Sequence, residues 1–179
     1  MKKIILVIVF LVSLAGINEV RSQNKPMSKP EILQKILSWK GDWEANITSK
    51  TGDKVTKSVD HISWSVTSDG NAALGKEWMD IPGQGKMSAT HLVGYNAEDN
   101  RLHWFTVDNM GESEDQIAEM TGNNHIRISY DGKRGGKPTQ SIVDLELKDK
   151  DTVEFNLVFM ADGTTERTMM GTFKRKSSK

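Results

Sequence analysis

The chain has 179 residues, with 24 lysines and arginines balanced by 24 aspartates and glutamates, and no cysteine. Balanced charge argues against a nucleic-acid binder, which needs a concentrated basic face, and the missing cysteine excludes disulfides and thiolate metal sites. The length suits one domain whose core is large enough to stand without cross-links.

The N-terminus carries an export pattern. Lys2-Lys3 precede an apolar run from Ile4 to Leu14, and Val20-Arg21-Ser22 offers tolerated residues before a cleavage point at Gln23. The run is shorter than the roughly 20 residues a spanning helix needs, so residues 1–22 read as a cleaved secretory signal peptide. Without cysteine no lipid is attached at that point. The expected product is periplasmic or secreted, with no stable membrane insertion. The leader takes three of the 24 basic and one of the 24 acidic residues, leaving 21 and 23, a net charge of −2.

Residues 23–30 are polar and read as a flexible arm. Ser28-Lys29-Pro30-Glu31 has the form of a capping box, with serine at the N-cap and proline inside the first turn. Ile32, Leu33, Ile36 and Leu37 then follow helical spacing, and Gly41 ends the helix near Trp39. A helix this short is not stable alone, so it must lie across one end of something larger.

From Trp43 the apolar period changes to two. Turn signals then arrive every 8–14 residues, a spacing that points to an all-β sandwich or barrel. The predicted strands are 43–50, 55–67, 72–79, 87–95, 101–108, 113–121, 125–131, 139–147, 152–160 and 165–174, with a glycine-rich loop from Gly132 to Pro138. Uninterrupted hairpin order implies antiparallel neighbours. Ten strands in an open sheet would leave two exposed edges, and closure removes them. The expectation is therefore a ten-stranded up-and-down barrel over residues 31–176, one short helix across an end, and a tail at 177–179. An outer-membrane barrel is disfavoured, because Thr56, Ser58, Asp60, Gln116 and Glu119 interrupt the apolar alternation its lipid face would need.

The ordered pieces of this pattern resemble a known group. A helix, then Gly41-Asp42-Trp43 opening the first strand, then a late basic residue resembles the calycins, which include lipocalins and fatty-acid-binding proteins. Gly94-Tyr95-Asn96, Trp104 through Gly111, Asp151 through Phe155, Asp162-Gly163 and Lys174-Arg175-Lys176 resemble a bacterial lipocalin-like family of unknown function, over about Ile32 to Lys176. The resemblance implies a barrel with an internal cavity and no established activity. It also implies a structural role for Gly41, Trp43 and Arg175, with Arg175 over the Trp43 ring as a cation–π lid and Arg167 as the alternative. A related haem-binding barrel family carries a glycine-rich extension after its Gly-x-Trp, and here Glu44-Ala45-Asn46-Ile47 stands in its place.

No nucleophile elbow, Walker loop, His-Glu-x-x-His or dinucleotide glycine motif occurs. The histidines His61, His91, His103 and His125 show no metal-ligand spacing, although distant strands can assemble a site. His91 shares a strand face with Met87, Ala89, Val93 and Tyr95, which should point inward; there it would be a polar anchor or a haem ligand. His103, on the face of Phe105 and Val107, is the second candidate, and Trp104 lies beside it. Glu77, Arg127 and Arg167 are charged positions on apolar faces that would hold a ligand's polar group, or else face solvent. The functional expectation is a non-catalytic exported barrel with no cofactor, binding a small hydrophobic or amphipathic molecule inside. The alternatives are a haem-type or enzymatic barrel using a cavity histidine, or an envelope module whose loops bind a protein or glycan.

Overall fold

The computed structural model describes residues 30–83 and 85–177. The proposed leader, Ser28 and Lys29 of the capping box, the arm up to residue 29 and the last two residues of the tail lie outside the described residues. Helix α1 spans Glu31–Leu37, with Leu33 and Ile36 buried. Pro30 stands at its N-cap, not inside the first turn, because its ψ of 148° is extended. The Pro30 carbonyl still accepts the Gln34 N–H at 3.1 Å.

Ten strands follow: β1 Gly41–Thr51, β2 Lys54–Thr67, β3 Ala72–Ile81, β4 Gly85–Asn96, β5 Arg101–Asp108, β6 Ser113–Gly122, β7 His125–Arg134, β8 Lys137–Asp149, β9 Thr152–Ala161 and β10 Thr164–Arg175. Each pairs with its sequence neighbours, and β1 pairs with β10, so the sheet is a closed antiparallel barrel. This is the lipocalin-like architecture that hairpin order and edge removal predict. Trp43 stands opposite Arg175 in the closing pair. Gly41 has φ +121°, and a Cβ there would lie 3.3 Å from Arg175 Nη1, so two constraints select glycine at this position.

The expected loop from Gly132 to Pro138 is mostly strand. Gly132 pairs with Thr139, Lys133 with Pro138 and Arg134 with Lys137, leaving Gly135 and Gly136 as the turn. Both have positive φ, 56° and 83°, which a two-residue hairpin turn requires and glycine supplies without strain. The segment therefore offers a tight hairpin tip in place of an extended binding loop.

Inner and outer faces alternate along every strand. The buried interior is apolar toward the helix end, where Leu33, Ile36, Trp39, Trp43, Trp64, Val93, Leu102, Trp104, Ile126 and Leu145 form one cluster. Among the described residues no helix is long and apolar enough to cross a membrane.

Candidate functional site: the barrel interior

A cavity of about 640 Å³ occupies the barrel, lined from Trp39 and Trp43 at the helix end to Ile81, Pro82 and Met110 at the other. That volume lies within the range that holds small molecules. Its floor is aromatic. Trp39, Trp64 and Trp104 form a triangle with centroid separations of 6.2, 6.3 and 5.2 Å. Gly75 seats Trp64: a Cβ there would come within 2.8 Å of the indole ring.

The closed end is held by one guanidinium. Arg175 lies 4.3 Å from the Trp43 ring centroid, a cation–π distance. Its Nε donates to Asp151 Oδ1 at 2.9 Å. Its Nη2 donates to the Ser38 and Lys150 carbonyls at 2.9 and 3.0 Å, and its Nη1 to the Lys40 carbonyl. The Trp43 indole N–H donates to the Trp39 carbonyl at 2.7 Å. The chain end, the helix exit and the first strand are thereby tied together.

One wall is acidic. Register sets Glu77 opposite both Ile62 and Ala89, and Ala89 opposite Asp108, so Glu77 and Asp108 flank a small residue on the inner face. Asp60, opposite Met79, is the diagonal neighbour of Glu77, and a side-chain hydrogen bond joins the two. His91 contacts Glu77 Oε2 through Nε2 at 2.6 Å. Its Nδ1 accepts the Trp104 indole N–H at 3.1 Å and lies 2.9 Å from Thr106 Oγ1. An indole nitrogen only donates, so Nδ1 is unprotonated and the proton sits on Nε2, which donates to Glu77. His91 is a neutral donor in this arrangement.

The carboxyls respond in opposite directions. Burial, the Glu77 charge and the hydrogen bond to Glu77 push Asp60 up to about 9, so it stays protonated at neutral pH. Burial would raise Glu77 as well, but the hydrogen bonds from His91 and Asp60 outweigh it and hold Glu77 below the ordinary glutamate range. Asp60 is 3 % exposed, and its Oδ1 is buried with no hydrogen-bond partner.

The mouth is basic and mixed. Arg134 lies over the Phe159 ring at 4.6 Å and Arg167 at 5.8 Å. Arg134 is paired with Glu112, and more loosely with Glu114 at 3.8 Å. Arg167 is half-buried, lines the cavity and has no carboxylate partner among the described residues.

Of the positions singled out in the sequence, Glu77, Met87, His91, Trp104 and Arg167 line the cavity. His103, Arg127 and Tyr95 do not. His103 faces outward between Asp99 at 2.7 Å and Asp115 at 3.0 Å, because the inward phase of β5 is Leu102, Trp104, Thr106 and Asp108. Those two carboxylates raise its pKa. Its face-mates Phe105 and Val107 are 43 % and 44 % exposed, so an apolar outer row imitated a core face. Arg127 is exposed and forms a forked pair with Asp144 at 2.8 and 3.1 Å. Tyr95 lies half-buried one residue before the end of β4 and bonds Asn100 through its hydroxyl. The sequence reading missed Asp60 as a site residue, although continuing the Ile62–Trp64 face backward leads to it. Asp108, Thr106 and Arg134 were also missed. As for a haem ligand, His91 has both ring nitrogens engaged by the protein and offers the cavity no free lone pair.

No protein-family model matches the chain, and no curated protein matches it. Among solved structures, the crystal structure of Rv2717c from M. tuberculosis matches with a TM-score of 0.60 at 14% identity, covering 84% of this chain and 100% of that one. The S-type phycobiliprotein lyase CPES from Guillardia theta matches with a TM-score of 0.64 at 7% identity, covering 83% and 94%. At these identities the likeness shows the fold alone, a lipocalin-like barrel.

Proposed function

We propose that this chain is an exported, non-catalytic barrel that holds an apolar or amphipathic small molecule in its interior. The observation that carries the reading is the cavity of about 640 Å³, floored by tryptophans, with an acidic wall and a polar mouth. An enclosed apolar floor with placed polar groups around it is the ordinary form of a small-molecule site. A neighbour of the same fold is a phycobiliprotein lyase, which is consistent with small-molecule work in such barrels. Met79, Met87 and Met169 on the lining adapt to ligands of varied shape.

Titration with a neutral fluorescent polyene alcohol tests the reading. Saturable one-to-one binding with quenching of Trp64 and Trp104 emission is expected, and an absence of saturable binding would sink it. Export is tested separately by mass spectrometry of the mature protein, which should begin at Gln23.

A further inference from the structure

We propose that the acidic wall of the cavity takes the nitrogen head of an organic amine, so that the ligand is an amphipathic ammonium compound. This rests on the cavity-binding reading and narrows its ligand class. Asp60, Glu77 and Asp108 line one cavity, and no lysine or arginine among the described residues forms an ion pair with any of them. The nitrogen partner of Glu77 is His91, a ring the Trp104 indole fixes as a neutral donor, and Asp108 Oδ1 accepts only the backbone N–H groups of Met110 and Glu112, at 2.9 Å each. The inward basic residues Lys54, Arg134 and Arg167 lie at the mouth, and Glu112 and Glu114 already take up Arg134.

A second observation points to a ligand. Asp60 is 3 % exposed and lines the cavity, yet its Oδ1 accepts no hydrogen bond. A buried acceptor left unpaired costs about 1–3 kcal/mol, and the wall's uncompensated negative charge adds to that cost. Both are relieved by a cation that also donates hydrogen bonds. No group of side chains among the described residues is arranged to hold a metal ion. An ammonium group meets every requirement: it donates to Asp60 and Glu77, carries the missing charge and sits beside Trp64 and Trp104, whose rings attract cations. The groups around Asp60 are Glu77 on β3, His91 on β4 and Asp108 on β5. The charged residues of β1 face outward, as Glu44 does toward His61 and Lys176. A cation entering this cluster makes ionised Asp60 favourable, so binding near neutral pH should release a proton.

Dodecylamine, dodecanol and dodecanoate, which share a tail, are to be competed against the polyene alcohol on the full mature chain. The amine should bind at least about tenfold more tightly than the alcohol, the scale of one charge-assisted hydrogen bond. Asp60→Asn and Glu77→Gln, each checked by circular dichroism, should bring amine and alcohol toward parity. Calorimetry in buffers of different ionisation enthalpy should show proton release with the amine alone. An amine that binds no better than the alcohol, or a preference that survives both substitutions, overturns the amine assignment while the cavity reading stands. Binding by none of the three overturns both.

Discussion

Arg175 and Asp60 are both charged-type side chains set against the apolar interior of one barrel, and the fold treats them in opposite ways. Arg175 donates to Asp151 and to the carbonyls of Ser38, Lys40 and Lys150, with Trp43 under its plane. Asp60 keeps one oxygen without a partner and holds its proton because of burial and Glu77. A buried polar group whose donors are all used locks a structure. One left incomplete lowers stability and persists where something else completes it. The closed end of the barrel is thus built for holding the fold, and the wall around Asp60 for meeting a ligand.

The contrast breaks most easily at Arg175. Removing it by Arg175→Ala strips the Asp151 carboxylate and several carbonyls of a donor, uncovers the Trp43 ring and frees the helix exit, so a loss of about 2–4 kcal/mol is expected by urea unfolding. A loss below about 1 kcal/mol, the worth of an exposed pair, would mean that the closed end holds nothing together.

Asp60→Asn should act in the other direction, through pH. In the unfolded chain the aspartate deprotonates near the ordinary aspartate value of 3.8, whereas in the fold it keeps its proton up to about 9. Between those values the native state binds more protons, so wild-type stability falls as pH rises. Glu77, held low, has the opposite sign, but its contribution is complete above the ordinary glutamate range. From pH 6 to 8 the raised His103 contributes a slope of the same sign, so the share of Asp60 is the part that Asp60→Asn removes, at most about 1.4 kcal/mol per pH unit. Asparagine keeps a donor for Glu77 and does not titrate, so the variant's stability should fall less steeply over that window, keeping only the part due to His103. Parallel curves for wild type and variant would show that Asp60 is already ionised.

A smaller effect is expected from Gly75→Ala. The new methyl meets the Trp64 ring at 2.8 Å, and overpacking of this kind costs about 1–3 kcal/mol. The near-ultraviolet circular dichroism of the tryptophan triangle should change with it. An unchanged spectrum would mean that Trp64 is not fixed against the wall.

The barrel was readable from the sequence because it depends on repetition. Ten period-two segments separated by turn residues admit few closed arrangements, and an error of one or two residues at any strand end leaves the topology intact. Gly41-Asp42-Trp43 marked the helix end for a similar reason, since only one break in period occurs there. The site was harder to read because it depends on phase. On β5 the outward row of Phe105 and Val107 is more apolar than the inward Thr106 and Asp108, so the pattern offered His103 as well as Trp104, and the cavity takes Trp104 alone. Asp60 looked like an interruption of an apolar face. Its position beside Glu77 is a cross-strand relation, set by the β2–β3 register, and no local pattern reports it. Its unpaired oxygen is a property of the assembled wall.

The smallest expected effect separates the mouth from the outer surface. Arg127 and Arg167 looked alike in the sequence, each a cation on a strand with apolar neighbours. Arg127 is exposed and already paired with Asp144, whereas Arg167 lines the cavity beside Phe159 without a carboxylate. Exposed pairs contribute little to stability, so Arg127→Ala should leave both the urea midpoint and the affinity for dodecanoate unchanged. Arg167→Ala should also leave the midpoint near its wild-type value, because no local group depends on its donors, but it should weaken dodecanoate relative to dodecanol by about tenfold. Equal responses of the two variants would show that the dodecanoate carboxylate does not reach Arg167 at the mouth.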